Sequence, residues 1–271
     1  MSERYTQPRA GIRSLKGNQL QALRRTPAIS MKTTFTAHNI RLDDGSLTKP
    51  DQPWQMRDLP LLQFALNFLE LTFPDGAKGK RIVDLGCLEG GYAVEFAREG
   101  FDSLGIEIRK SNIEKCKYVK SHTTLPNLSF ACDDVRNLER YGMFHAIFCC
   151  GILYHLDQPR KSIEQMSRAC RRVLIIDTHV AADQPNSRFK LSEISENEGL
   201  NGRWFAEFEE EKLRHRDPWS SWDNSKSFWP MKLDLVQALR QLGFSLVLEY
   251  PIFEPERQAT DRVTIVGVKT H

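Results

Sequence analysis

Three acids, a glycine-rich turn and two histidines are the residues of this chain whose types and spacing could do chemistry. The turn, Gly86-Cys87-Leu88-Glu89-Gly90-Gly91, follows the apolar pair Ile82-Val83 and the acid Asp84, and a helical pattern begins at Gly91. Glycine lets a backbone turn sharply and approach a ligand closely, and a helix N-terminus adds outward N–H groups. Strand, turn and helix in this order therefore build a nucleotide cradle. Asp84 ends the first strand, Glu107 lies in the C-terminal part of the second, and Asp134 follows the third. An acid ending the second strand can accept both ribose hydroxyls. An acid after the third can accept from an exocyclic adenine amine while the Val135 N–H meets a ring nitrogen. A lone strand-end acid often just caps a helix, but three in register with one glycine turn point to a bound cofactor. His155, in Tyr154-His155-Leu156-Asp157, and His179, in Asp177-Thr178-His179, follow the fourth and fifth strands. Imidazole titrates where a hydroxyl nucleophile needs a base.

The elements that must position these residues alternate. A helix is predicted over Leu59–Leu71, with Leu62, Ala65, Leu66 and Leu69 on one face. Then come strand Arg81–Leu85, helix Gly91–Arg98, strand Ser103–Ile108, helix Ser111–Ser121 and strand Leu128–Cys132. Strand Ala146–Cys150, helix Arg160–Ala169 and strand Arg172–Asp177 complete the series. Such alternation predicts a parallel sheet with helices on both faces. Residues 181–229 are polar, with Trp204, Trp219, Trp222 and Trp229 among them, and read as a lid insertion. A helix over Leu233–Leu242, capped by Gly243, and strands Ser245–Glu249 and Arg262–Val268 follow. The last two have no helix between them, which implies an antiparallel edge pair. Two parts result, an N-terminal extension over 1–58 and an α/β domain over 59–271.

The chain has 271 residues, 40% hydrophobic and 27% charged, with a formal net charge of +3. That composition suits a soluble protein. No apolar run approaches the roughly 20 residues that span a bilayer, and the polar, basic start does not read as a secretory signal. Of the six cysteines none forms a CxxC pair, so neither a zinc site nor a disulfide framework is expected, and reduced cytoplasmic thiols are the simpler reading. Arg4, Arg9, Arg13, Lys16, Arg24, Arg25 and Lys32 face a single acid, Glu3, in the first 40 residues. This stretch reads either as an RNA-binding arm or as a solvated tail. Its few aromatics favour the tail.

In this order and spacing, VDLGCLEGGY, GIEI, DDVRNL and CCGILYHLDQP resemble the class I S-adenosylmethionine-dependent methyltransferases over about residues 80–180. The resemblance implies a Rossmann-like, seven-stranded, mostly parallel α/β sheet with a reversed final hairpin. It places the methionine part of the cofactor over Asp84, Gly86, Cys87 and Leu88, the ribose at Glu107 and Ile108, and the adenine at Asp134 and Val135. Cys150 and Gly151 would pass under the methionine end. One point departs from the pattern and one assignment has a competitor. Leu88 stands where the family usually has glycine, and Asp133 competes with Asp134 for the adenine. A dinucleotide oxidoreductase would want G-x-G-x-x-G, which this turn does not match.

Methyl transfer is an in-line displacement, so the enzyme aligns the nucleophile, excludes water and removes a proton from a hydroxyl. His155 and His179 are the candidate bases, and each could instead only hold backbone. Asp177, His179 and Asp183 have the types to bind a divalent cation, but read as an ordinary loop, and no metal is expected. Tyr154, Trp204, Trp222, Asn224 and Trp229 combine flat apolar surface with polar handles, as acceptor pockets do. Trp54 and Arg57 stand where they could close the cofactor site from above. The expected acceptor is a hydroxylated small molecule, sugar-like or a secondary metabolite. The alternative is tRNA, because GILYH…P and the later FWP resemble the tRNA wobble-uridine carboxymethyl-transferring enzymes, which use a carboxylated cofactor.

Overall fold

The run Ile82-Val83-Asp84-Leu85 is buried on both faces, as a central parallel strand requires. In the computed structural model, which describes residues 34–182, 189–251 and 261–270, this strand, β1 (Arg81–Leu85), sits mid-sheet. The described residues all fall in one compact unit, Thr34–His271. All but the end of the basic N-terminal stretch, and Asp183, lie outside the described residues.

Around β1 lie β2 (Asp102–Glu107), β3 (Leu128–Cys132), β4 (Phe144–Cys150) and β5 (Cys170–His179), all parallel to it. The edge pair is β9 (Leu246–Tyr250) and β10 (Arg262–Val268), with β10 antiparallel to both β5 and β9. The order across the sheet is β3-β2-β1-β4-β5-β10-β9, so the expected seven strands with a reversed edge pair are present. β5 runs on to His179, beyond the expected Asp177, because β10 pairs with it along that length.

Side chains alternate across the strands. Ile82 packs with α1 (Pro60–Thr72) and α2 (Gly91–Arg98), and the Val119 end of α3 (Lys110–Ser121) joins that layer. Val83 and Leu85 pack on the other face with α4 (Pro159–Ala169) and α6 (Lys232–Gln241). Asp84 shares the parity of Ile82 and so lies on the α2 face. Strand order reverses between β1 and β4, and ligand crevices form outside the strand C-termini at such a switch point.

The insertion after β5 has more structure than its polar sequence suggests. β6 (Ser195–Asn197), β7 (Leu200–Ala206) and β8 (Lys226–Pro230) make a second, antiparallel sheet, and α5 (Glu211–Arg216) lies between β7 and β8. This sheet is fastened to the turn after β4. The Phe228 N–H donates to the Leu156 carbonyl at 2.9 Å, and the Trp229 indole Nε1 donates to the Tyr154 carbonyl at 2.9 Å.

Candidate active site

A cleft of about 540 Å³ opens at the C-terminal ends of β1, β2 and β4. Its lining includes Asp84, Gly86, Cys87, Leu88, Glu107, Ile108, Asp134, Val135, Cys150 and Gly151, so the ten residues expected to meet a cofactor converge there from the ends of β1, β2 and β4 and from the turn after β3. Gly90 is required for the turn that begins the cleft. Its φ is +86°, and a Cβ there would sit 2.7 Å from Cζ of Phe130. Leu88 has φ +52°. A leucine therefore holds the left-handed conformation that glycine would adopt without strain. From that position the Leu88 N–H donates to Glu107 Oε2 at 3.0 Å.

The acids differ in how well they are satisfied. Glu107 is buried and accepts one backbone N–H on each oxygen, from Leu88 at 3.0 Å and Arg109 at 2.7 Å, while burial pushes its carboxyl up from the ordinary value. A carboxylate oxygen has two lone pairs, so each keeps room for a further donor. Asp84 is 2% exposed, and its Oδ2 has no partner. Burial, with a smaller push from Glu107 and against the backbone bond from Ala93, raises it to about 8. Asp134 lines the cleft while receiving the Arg136 backbone N–H at 2.8 Å and the Arg136 guanidinium on both oxygens. Asp133 is taken up by Asn137 at 2.7 Å and the Tyr141 hydroxyl at 2.8 Å, inside the 3-10 turn Val135–Tyr141.

Two walls close the cleft, and each is fixed by a buried ion that the sequence reading passed over. The N-terminal wall is Thr36–His38 with Lys49 and Trp54. Glu89 of the glycine turn, 0% exposed, accepts the backbone N–H of Thr36 (2.8 Å), Ala37 (3.0 Å) and His38 (2.8 Å) as well as Lys115 Nζ (2.6 Å). Burial opposes its charge, but these donors outweigh it and hold Glu89 down to about 2. His38 in turn accepts the Gly91 N–H at 3.0 Å, and burial keeps this imidazole neutral, down to about 4. The opposite wall is the segment 218–224 after α5. Arg109, 6% exposed, donates to the carbonyls of Arg214 (3.1 Å), His215 (3.1 Å) and Ser220 (2.7 Å). Trp222 lies 5.0 Å from that guanidinium and stacks on His215 at 3.7 Å. Arg136 reaches from Asp134 across to Asp223. A lone arginine after a strand and a glutamate inside a glycine turn carry no sequence signal for these contacts.

The two histidines part company. His155 lines the cleft, and its Nδ1 lies 2.9 Å from Glu207 Oε1. His179 does not line it. Its ring is buried in an aromatic stack, 4.7 Å from Trp229 at 11° and 4.7 Å from Tyr154 at 78°, and burial with the nearby Arg262 lowers it to about 4. The added length of β5 explains the difference, because it carries His179 into the layer between β10 and the second sheet.

Of the expected acceptor residues, Tyr154, Trp222 and Asn224 line the cleft, and Trp204 and Trp229 do not. Trp204 packs on Phe228 at 5.0 Å beneath Lys226, and Trp229 is fully buried between His179 and Phe205. Both lie on the β7–β8 pair and fasten the second sheet. Trp219, at 60% exposure, does line the cleft. Trp54 reaches the wall, whereas Arg57 pairs with Glu95 (3.3 Å) and Glu99 (2.6 Å) on and just past α2. Asp177 is engaged by Arg262 Nε (2.7 Å) and the Thr264 hydroxyl (2.7 Å).

Comparison with known proteins gives the arrangement a family. A family model described as a methyltransferase domain matches residues 77–225. The chain is 26% identical over 121 residues to the ubiquinone biosynthesis O-methyltransferase of Acinetobacter baylyi, covering 42% of this chain and 49% of that protein. It is 28% identical over 91 residues to the tRNA U34 carboxymethyltransferase of Campylobacter hominis, covering 33% of this chain and 32% of that one. It spans about half or less of the length of these curated relatives. The N-terminal domain of EvdMO1, solved with SAH bound, shares the fold at a TM-score of 0.60 and 22% identity, over 78% of this chain and 82% of that one. With its switch-point cleft and a family match over more than half its length, the chain belongs to the methyltransferase-domain family.

Proposed function

We propose that this chain binds S-adenosylmethionine in the switch-point cleft and catalyses methylation of a hydroxyl on a small-molecule acceptor, with His155 as general base. The observation that carries the reading is the company Asp84 keeps. A buried carboxylate with an unpartnered oxygen fits a cationic ligand, and S-adenosylmethionine is one. The same cleft offers Glu107 for two ribose hydroxyls and the Asp134–Val135 pair for an adenine edge.

Bound there, the cofactor supplies an electrophilic methyl group on a sulfonium. Gly86 and Gly151 would border it, both in the left-handed region at φ of +68° and +72°, and the missing Cβ of Gly86 leaves room for the Ile152 side chain. Trp222 and the wall over 218–224 exclude water, which strengthens the field of every fixed charge inside. Tyr154 lines the cleft where it can orient the acceptor, whereas the Asn224 amide is spent on Ser221, Lys226 and Ser227 and shapes the wall. His155 receives the acceptor proton on Nε2, because Nδ1 is already engaged by Glu207. A tRNA acceptor is the second reading, favoured by the stretch similar to the tRNA U34 carboxymethyltransferase.

Calorimetry tests the first half of the reading. S-adenosylmethionine should bind the full chain, and Glu107→Ala should weaken it at least tenfold through the lost ribose contacts. Unchanged affinity in that variant would remove the cofactor assignment. Release of S-adenosylhomocysteine over a panel of hydroxylated metabolites and bulk tRNA separates the two acceptors, and His155→Ala should abolish the release while leaving cofactor affinity intact.

A further inference from the structure

Glu207 lies at the end of β7, outside the strand-end positions that gather in the cleft, in the acid run Glu207-Phe208-Glu209-Glu210-Glu211. Its four neighbours are exposed or half-buried, yet Glu207 is buried. Both oxygens of its carboxylate are engaged. Oε1 faces His155 Nδ1 at 2.9 Å and accepts the Ser227 hydroxyl at 2.8 Å, and Oε2 accepts the Ser221 N–H at 3.1 Å. We infer that Glu207 is the positioning residue of the proposed base: it fixes the His155 tautomer with the proton on Nδ1, so that Nε2 is the nitrogen left to take a proton.

The chemistry follows from the donor count. An ionised carboxylate only accepts hydrogen bonds. Burial opposes the charge on Glu207, but the bond from His155 outweighs it together with Ser221 and Ser227, and the group is held below the ordinary glutamate range. Its partner nitrogen must then be the donor. Free imidazole prefers the other tautomer, so a carboxylate is needed to hold this one, as a carboxylate does for histidine in hydrolytic triads. The remaining groups around the ring do not compete. Tyr154 lies beside it at 4.3 Å between centroids, and Arg109, whose charge interacts with Glu207, donates to the carbonyls of Arg214, His215 and Ser220.

A second consequence concerns assembly. His155 belongs to the turn after β4, whereas Glu207, Ser221 and Ser227 belong to the insertion. The pair exists only when the second sheet is seated on the turn, through Phe228 to Leu156 and Trp229 to Tyr154. The base is therefore completed by the same element that forms the acceptor wall.

This inference rests on the proposed role of His155, and the measurement that tests Glu207 itself uses neither cofactor nor acceptor. Two-bond ¹⁵N–¹H NMR on the full chain, labelled at histidine and assigned with a His155→Gln control, reads the tautomer directly. At neutral pH the wild type should show His155 with Nδ1 protonated. Glu207→Ala should move it to the Nε2–H form, and Glu207→Asp should restore part of the wild-type signal. An Nε2–H tautomer in the wild type overturns the inference whether or not any variant folds, and so does a tautomer unchanged in a folded Glu207→Ala. A normal tautomer together with normal S-adenosylhomocysteine release by His155→Ala would instead leave Glu207 correct and refute the base.

Discussion

Proton-linked cofactor binding is the sharpest consequence of the cleft. Asp84 is raised to about 8 by burial, so at pH 7 roughly nine in ten molecules of the free protein carry it protonated. A cation held against Oδ2 needs the ionised form. Ionising it at pH 7 costs about 1.4 kcal/mol, the equivalent of one pKa unit. The affinity for S-adenosylmethionine should therefore rise about tenfold between pH 6 and 7, rise less from 7 to 8, and level off above. Close to one proton should leave per cofactor bound at pH 7. Calorimetry in two buffers of different ionisation enthalpy measures that proton, since the observed heats differ by its number times the buffer difference. Asp84→Asn should bind weakly, without the pH dependence, and should release no proton. The sign for stability runs the other way. An acid whose folded value is raised above the unfolded one loses stability as pH climbs from about 4 towards 8, so Asp84→Asn should raise the Tm of the free protein at pH 8. Flat affinity from pH 6 to 8 with no proton released would refute the argument that an ionised Asp84 meets the cofactor.

Two further outcomes test the frame of the cleft. Replacing Glu89 by Gln removes a charge that accepts three backbone N–H groups and Lys115, and should cost about 2–3 kcal/mol in urea unfolding, with faster proteolysis between residues 34 and 57. Because Glu89 is held down to about 2, its contribution is complete above about pH 4.5 and lost as pH falls towards 2, so the Tm gap between wild type and Glu89→Gln should shrink over that window. Leu88→Gly should lie within about 1 kcal/mol of wild type, since relief of a positive φ offsets the lost side chain and added chain entropy. Gly90→Ala should cost about 2–4 kcal/mol, because its Cβ meets the Phe130 ring.

The sheet was readable because its signals are local. Apolar runs such as Arg81–Leu85 and Arg262–Val268 stand out locally, and these two strands match residue for residue, whereas β2, β4, β5 and β9 differ at one or both ends. The strand-end residues were readable for the same reason, since a parallel sheet delivers the residue after each strand to one edge whatever the helices do. His179 and Trp229 show where that logic stops. Whether a strand-end side chain enters the cleft depends on what packs above it, and here the covering layer is a second sheet set within a polar stretch of the sequence. Glu207 shows the same limit from the other side. Nothing within Glu207–Glu211 distinguishes one acid from its neighbours, and only the seating of β8 beside the Leu153–His155 turn makes it different.

Both walls of the cleft are held by a buried ion aimed at backbone groups: Glu89 at three N–H groups of one wall, and Arg109 at the Ser220 carbonyl of the other together with the Arg214 and His215 carbonyls of the α5 end that leads into it. Every residue offers those carbonyls and every non-proline residue those N–H groups, so these bonds set the path of each wall without specifying its side chains, while Trp222 and Asp223 are held separately by His215 with Arg109 and by Arg136. A burial-driven contact would instead fix the side chains, because a core position tolerates little change of volume. The proposed acceptor wall can thus present Trp219, Trp222 and Asn224, or other residues, from one fixed path. The base remains the exception. His155 is held through a side chain of that same insertion, Glu207, so substitutions that repack 218–224 should alter which acceptor fits, whereas any that unseat Glu207 should remove turnover for every acceptor.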